Sequence, residues 1–247
     1  MAVDKNSTGY IYGFAVVLVG IVAALLAFLA TSLKDLQTDN IEDEKRKFIL
    51  KAAGIMDREA SWSKEEVKAK FDEVKLTEKI LTFDGKDTIV EGKTPFTLDV
   101  VKEYKSTSDR TLRAYPVFVV KSGDSHKFVI PMAGKGLWGP VWAYVAVDAD
   151  GKSITGAVFD HKTETPGLGA EIKDSKAFWG QFNAENGLLL ADDAGKYMGI
   201  TVVKSGAETK HEIDAIAGAT ITTVGVGNML KESFEVYMDF MKNYSSN

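Results

Sequence analysis

The sequence of 247 residues contains no cysteine. This absence excludes disulfide bonds, thiolate nucleophiles, and zinc or iron–sulfur sites with cysteine ligands. Histidine is also scarce, and His126, His161 and His211 are not spaced as a pair of metal ligands on a helix. The sequence therefore predicts no metal site.

Several motifs and one type of charge pattern are missing as well. There is no P-loop, no dinucleotide-binding fingerprint and no Gly-x-Ser-x-Gly nucleophile elbow. Glu171 and Asp174 form an isolated carboxylate pair, which is typical of a solvated surface, and we assign no catalytic residue to this chain alone. The formal net charge is −5 and no five-residue basic cluster occurs. Nucleic acid is therefore not a predicted partner.

Charge is absent from a long N-terminal stretch, because residues 6–33 carry no charged side chain. A membrane-spanning helix needs about 20 mostly apolar residues, and residues 10–33 meet this requirement. A cleaved signal peptide is the alternative, but it has a basic N-terminal region and an apolar region of about 7–15 residues. Here "MAVDK" has one acid and one base, and the apolar run is longer. We predict an uncleaved transmembrane helix at 10–33, in contact with the lipid bilayer, after a short tail at 1–9.

The charges that flank this helix do not define its orientation. Lys5 lies on one side of the apolar run and Lys34 lies close to it on the other. The positive-inside rule counts Lys and Arg near the span. It does not decide the orientation here, and taken literally it leans towards a cytoplasmic main domain.

The rest of the chain changes from helical to strand periodicity. Residues 34–112 are predicted to be a membrane-proximal helical region and connecting segment, with two amphipathic helices, the second opened by a capping box of Ser63 and Glu66. From residue 113 two hairpins follow, "AYPVFVVKSGDSHKFVIPM" with a Ser-Gly-Asp turn and "GPVWAYVAVDADGKSITGAVFDH" with an Asp-Ala-Asp-Gly-Lys turn. Residues 113–247 are therefore predicted to be a second, mostly antiparallel domain.

A short helix ("DSKAFWGQFNAE"), a strand ("YMGITVVKSG") and a C-terminal helix complete this domain. The last helix carries an apolar stripe that predicts core packing, formed by Val226, Leu230, Phe234, Tyr237 and Met241. No regular βαβ alternation is visible. The predicted fold class is α+β, with one N-terminal transmembrane helix followed by a soluble domain in which helices flank an antiparallel sheet.

Two loops of this domain have unusual compositions. In "HKTETPGLGAEI", residues 164–169 follow a strand and precede a helix, and Gly169 leaves space for close approach to the backbone. A plain strand-to-helix turn is the alternative. In "DAIAGATITTVGVGN", Thr220 is left uncrowded and a helix is predicted to begin a few residues later, so that an anion would be favoured there. The alternative is a helix cap at Thr222 or Thr223.

The second loop resembles a known motif for covalent flavin attachment, an aspartate followed by Ser/Thr-Gly-Ala-Thr. Here the motif is "DAIAGAT", and Ala217 stands where the family has Ser or Thr. Residues 136–172 resemble the FMN-binding domain of the C subunit (NqrC) of sodium-translocating NADH:quinone reductases, most specifically at 136–138 and 164–169. The same two loops occur in the G subunit of Rnf-type electron-transport complexes, and residues 136–138 favour the reductase.

The resemblance implies that a separate flavin transferase attaches FMN covalently to Thr220 through a phosphoester bond, with Thr222 as a fallback acceptor. The domain 113–247 then becomes an FMN-binding domain. The implied cofactor contacts are Leu137, Trp138, Glu164, Thr165, Gly167, Leu168, Gly169, Gly218, Ala219, Thr220 and Thr222.

The resemblance also implies a function and a location. The chain is expected to be a single-pass electron-carrier subunit in the bacterial inner membrane. It would relay single electrons among the other subunits of the reductase, with its main domain in the periplasm. A membrane-tethered FMN-domain sensor or scaffold without electron relay is the alternative from a different functional class.

Overall fold

The computed structural model describes residues 7–122 and 125–245. By contacts the chain divides into two compact units, Met1–Glu44 and Lys45–Asn247. Most of the predicted tail at 1–9 and the Gly-Asp part of the Ser-Gly-Asp turn lie outside the described residues. The predicted boundaries at 33/34 and 112/113 stay predictions.

The first unit contains helix α1, Thr8–Ser32, in which no residue is buried. Its N-cap is Ser7, whose hydroxyl accepts the backbone N–H of Tyr10 at 3.4 Å. At about 1.5 Å per residue a helix of 25 residues exceeds the hydrocarbon thickness of a bilayer, about 30 Å. Within the described residues this is the one helix long and apolar enough to cross a membrane.

The second unit is built on a sheet of six antiparallel strands in the order β2-β1-β3-β4-β5-β6. The two predicted hairpins are confirmed as β3–β4 and β5–β6. Strands β1 and β2 were not predicted, because "KLTEKIL" buries only its last two residues and shows weak alternation. The strands are β1 (Lys75–Leu81), β2 (Asp87–Thr88), β3 (Tyr115–Ser122), β4 (Ser125–Lys135), β5 (Pro140–Asp148) and β6 (Ile154–His161).

Both faces of this sheet are covered, which explains the continuous apolar runs in β3, β4 and β5. Val117 and Val119 belong to a large core cluster that includes the apolar stripe of the C-terminal helix. Their neighbours Phe118 and Val120 point to the opposite face and pack with Ile49 in a second cluster. The α+β fold with an antiparallel sheet flanked by helices is confirmed.

The remaining elements are helices and a second, two-stranded sheet. The predicted capping box of Ser63 and Glu66 is confirmed, whereas the predicted short helix at 174–185 is broken into α6 and two 3₁₀ turns. Strands β7 and β8 form a parallel pair that leads into the "DAIAGAT" segment. These elements are α2 (Lys34–Ala52), α3 (Lys64–Glu73), α4 (Val100–Ser106), α5 (Glu171–Asp174), α6 (Lys176–Trp179), β7 (Thr201–Val203), β8 (Glu212–Asp214) and α7 (Thr220–Ser245).

Helix α7 begins at Thr220, earlier than the sequence predicted. Gly225 and Gly227 therefore lie inside the helix, although glycine disfavours helix interiors. A Cβ on Gly225 would clash with the backbone carbonyl of Lys135, and one on Gly227 would meet Val202. The glycines are needed because α7 packs closely on β4 and β7. The predicted core packing of its apolar stripe is confirmed, since all five stripe residues are buried.

Candidate functional site

Three loops meet at one end of the sheet: residues 136–139 after β4, residues 164–169 after β6, and residues 217–222 at the start of α7. Gly218 has a φ of +82° and lies so close to the second loop that an added Cβ would be 2.9 Å from the carbonyl oxygen of Gly167. Glycine is the residue suited to this approach, because it adopts positive φ without steric cost. The structure thus brings together the two loops that the sequence singled out, together with residues 137 and 138.

A buried carboxylate, Glu164, joins these loops. Its Oε1 accepts the backbone N–H groups of Trp138 at 2.9 Å and Gly139 at 3.1 Å. Its Oε2 accepts the N–H of Leu137 at 3.3 Å and the hydroxyl of Thr222 at 2.6 Å. Glu164 therefore connects the ends of β4 and β6 to the first turn of α7.

Burial alone would raise the pKa of Glu164. The hydroxyl of Thr222 and the N–H groups of residues 137–139 outweigh burial and hold that pKa below its usual range. The carboxylate is thus ionised at neutral pH, and four donors of the chain stabilise its charge. Glu164 was predicted as a cofactor contact, and the geometry gives it the role of fixing the loop 136–139.

Two of the three threonines of the "ATITT" segment, Thr222 and Thr223, make side-chain hydrogen bonds. Thr222 is fully buried and its hydroxyl donates to Glu164. Thr223 is fully buried, and its hydroxyl donates to the carbonyl of Ala219 at 2.8 Å. The suggested role of either as the helix cap is wrong, because α7 begins at Thr220 and these hydroxyls face the interior.

Thr220 differs from both of them. It is exposed at the first position of α7, and its side chain makes no hydrogen bond to any other described residue. The first backbone N–H groups of a helix have no intrahelical acceptor and carry partial positive charge. Thr220 is therefore an accessible hydroxyl beside an anion-favouring helix end.

The surface around Thr220 is apolar to an unusual degree. Four large hydrophobic side chains are exposed there: Trp138 by 64%, Leu168 by 42%, Ile221 by 63% and Val224 by 42%. Leu137 is half-buried beside Trp138, and Thr165 and Gly167 are exposed on the turn. Clustered apolar exposure of this kind marks a ligand or partner site. An aromatic ring system would fit these surroundings.

The turn 164–169 is fixed by a residue that the sequence analysis left on the solvated surface. The side chain of Glu171 accepts the N–H of Gly167, and that of Gly169 at 3.2 Å. The Gly167 N–H is the main reason why the pKa of Glu171 is lowered. The sequence feature that indicates this role is the position of Glu171 in the first turn of the helix after a glycine-rich loop, where carboxylates often accept hydrogen bonds from backbone N–H groups.

Gly169 is not open to a ligand as the sequence suggested. It is buried with a φ of +148°, and a Cβ would lie 2.7 Å from the Cβ of Thr222. Gly167 has a φ of +82°, and no atom lies within 4 Å of the point that its Cβ would occupy. The need for glycine at 169 therefore comes from the buried Thr222.

These two glycines make a matched pair of variants. Gly167→Ala should lower the free energy of unfolding by about 1–2 kcal/mol, the cost of an L-residue at positive φ. Gly169→Ala should cost about 3 kcal/mol or more, because its methyl group also displaces Thr222 from Glu164. Urea unfolding of both variants checks this difference, and equal losses would contradict the packing of Gly169 on Thr222.

Comparison with known proteins identifies the class. Residues 136–235 match the family model of the FMN-binding domain, and this range contains all three loops. Among the described residues no cluster of His, Asp or Glu could hold a metal ion. Residues 136–235 thus belong to an FMN-binding domain, and the accessible hydroxyl, the close glycines and the apolar surface fit that cofactor.

Relatives define the particular family. The C subunit of a Na(+)-translocating NADH-quinone reductase from Haemophilus ducreyi is 32% identical over 94% of this chain and 91% of the relative. The solved structure of the corresponding C subunit from Parabacteroides distasonis is 34% identical with a TM-score of 0.70, covering 85% of this chain and 96% of that one. NqrC from Shewanella oneidensis is 25% identical with a TM-score of 0.63, covering 83% and 99%. The chain belongs to the NqrC family, the C subunits of Na(+)-translocating NADH-quinone reductases, which confirms the predicted resemblance.

Proposed function

We propose that the chain is a membrane-anchored electron carrier whose FMN is attached covalently to Thr220. The observation that carries this proposal is the contrast among three neighbouring hydroxyls. Thr220 is exposed and without a side-chain hydrogen bond to the described residues, whereas Thr222 and Thr223 are fully buried and donate to groups of the chain. An attacking or accepting hydroxyl must be reachable, so Thr220 is the acceptor and Thr222 is not.

The local structure suits a phosphoester at this position. The ester phosphate keeps a negative charge, which the N-terminal end of α7 stabilises. The chain lacks a P-loop, and a covalent bond removes the need for one. A separate flavin transferase catalyses the attachment, because no general base forms a hydrogen bond with the Thr220 hydroxyl among the described residues.

The remaining site residues position the ring system. Leu137 and Trp138, together with the exposed turn that contains Thr165, Gly167 and Leu168, would hold it. Glu164 positions the loop 136–139. When bound, FMN supplies the one-electron chemistry, and the chain supplies orientation and exclusion of water.

The names of the relatives support the wider role. They are subunits of an NADH-quinone reductase that translocates sodium. We assign this chain the relay step between redox centres of such a complex, with the other subunits as partners. The sites for NADH, quinone and sodium are assigned to those subunits.

Detection of covalent flavin tests the attachment on which this function depends. Full-length protein co-expressed with a flavin transferase should give a fluorescent band under ultraviolet light after denaturing electrophoresis. Peptide mass spectrometry should place FMN on the peptide that contains Thr220. Expression without the transferase is the control and should give folded, non-fluorescent protein. A missing band in the presence of active transferase would contradict the proposed function.

Helix α1 is proposed as the bilayer anchor, with the FMN-binding domain in the periplasm of the inner membrane. Protease added to cells with a permeabilised outer membrane should then digest the domain, because the inner membrane does not shield it. A cytoplasmic protein is the matched control and should stay intact. Digestion of the domain only after the inner membrane is broken would overturn this placement.

A further inference from the structure

A cleft of about 450 Å³ lies directly beside the proposed flavin site. One wall is formed by Tyr104 and Lys105 of α4. The opposite side is formed by Lys135 at the end of β4, Trp138 in the following turn, and Lys162 after β6. The backbone holds this arrangement, because Lys135 pairs with Pro140 and the N–H of Lys162 donates to the Pro140 carbonyl at 3.1 Å.

The charge in this cleft is of one sign. Lys105, Lys135 and Lys162 are exposed, and none makes an ion pair or side-chain hydrogen bond with another described residue. No carboxylate is among the described residues that line the cleft. The nearby Glu103 is already paired with Lys93 at 2.6 Å, and Glu164 is buried. A cationic cleft on a chain with net charge −5 concentrates positive potential at one place.

The cleft also has an apolar anchor. Trp138 borders it, is 64% exposed, and is held through its backbone N–H by Glu164. Exposed tryptophan in a rigid loop is the residue type that dominates binding energy at protein interfaces, and charges around such an anchor set association rate and specificity. A concave surface of this kind suits a protruding protein segment better than a flat lipid surface.

We propose that this cleft is the docking site for an acidic segment of a partner protein in the reductase complex. An apolar side chain of that segment packs on Trp138, and its carboxylates pair with Lys105, Lys135 and Lys162. This inference rests on the proposed function, and it adds the chemistry of the partner. Docking here brings the partner next to the loop that flanks Thr220, which an electron relay requires.

The test reverses the three charges in the full-length protein, co-expressed with the flavin transferase and the other subunits. Lys105→Glu/Lys135→Glu/Lys162→Glu should lower the amount of the other subunits that co-purify by at least tenfold, while in-gel flavin fluorescence stays unchanged. Retention of the subunits by the triple variant, with fluorescence present, would overturn the docking proposal alone.

The matched control carries the same charge change elsewhere, at Lys121, Lys196 and Lys210. These lysines are exposed and make no ion pair with the described residues, and Lys121 pairs with His126 at the other end of β4 from Lys135. The control triple should keep its partners. Equal losses in both triples would overturn the proposal, because net charge and not this cleft would then be responsible.

Two further outcomes separate the alternatives. Absence of flavin fluorescence in the unaltered protein would contradict the proposed function itself.

A second experiment tests anionic lipid as the ligand of the cleft. Wild-type full-length protein in phosphatidylcholine nanodiscs is mixed with phosphatidylglycerol vesicles. Binding to these vesicles that disappears in the lysine triple, with co-purification unaffected, would assign the cleft to anionic lipid and overturn the protein partner.

Discussion

Thr220→Ala is expected to abolish covalent flavin attachment, so that the fluorescent band of the denatured protein disappears completely. The reason is chemical: the variant lacks the one hydroxyl of the segment that is exposed. Its stability should change by less than about 0.5 kcal/mol, because Thr220 is a surface residue without a side-chain hydrogen bond to the described residues. In-gel fluorescence and urea unfolding of the same preparation measure both effects.

Thr222→Val and Thr223→Val are the matched controls. Valine keeps the shape of threonine but removes the hydroxyl, so both variants should remain fluorescent. Thr222→Val should lower the free energy of unfolding by about 1–3 kcal/mol, since Glu164 loses a buried donor. FMN found on the peptide at Thr222, or a fluorescent band that persists in Thr220→Ala, would contradict the assignment of Thr220 as the acceptor.

Glu164→Ala is expected to destabilise the protein strongly, with a loss of about 2–4 kcal/mol in the free energy of unfolding. It removes the acceptor of three backbone N–H groups and one hydroxyl, and each buried donor left without a partner costs about 1–3 kcal/mol, less where water enters. Flavin should stay attached at Thr220, whereas its visible spectrum should shift because the loop with Trp138 is released. Urea unfolding and the flavin spectrum measure these effects.

Glu171→Ala is the matched control, because it also removes a carboxylate that accepts hydrogen bonds from backbone N–H groups, but one that is only half-buried. Water replaces those bonds, so the loss of stability should be smaller. A destabilised Glu164→Ala protein with an unchanged flavin spectrum would show that the carboxylate serves folding alone and does not position the loop at the cofactor.

The depressed pKa of Glu164 also predicts a pH effect of defined sign. Its contribution is present above the unfolded-state pKa of about 4.3. As pH falls below that value the unfolded chain binds a proton that the folded chain does not, so stability falls by up to about 1.4 kcal/mol per pH unit. In Glu164→Gln this slope should be smaller, by at most one proton. Equal slopes in the wild type and the variant would contradict the lowered pKa.

Some parts of this protein were predictable because their cause is local. Runs of β-branched and aromatic residues on either side of short turn sequences predict the β3–β4 and β5–β6 hairpins, since both signals come from adjacent residues. The stripe of α7 depends in the same way on a spacing of three and four residues. The approximate position of α1 followed from the length of a charge-free run, and Thr220 was found from the motif that precedes it.

Other parts depend on contacts that no local pattern contains. Strand β1 adds to the sheet through its pairing with β3, about forty positions later in the chain, and its own sequence buries little. Gly225 and Gly227 suggested a flexible loop, but they are helical because β4 and β7 leave no space for side chains there.

The sequence by itself determined the fold class, the family, the apolar α1 and the identity of the candidate acceptor, because each of these follows from patterns and motifs of neighbouring residues. Only the tertiary structure decided which threonine is reachable, why Gly169 must be glycine, and that Glu164 holds the loop of Trp138. Those properties arise from a carboxylate and a hydroxyl that are 58 positions apart in the chain and 2.6 Å apart in space. Burial makes that contact strong, and burial is a property of the folded chain alone.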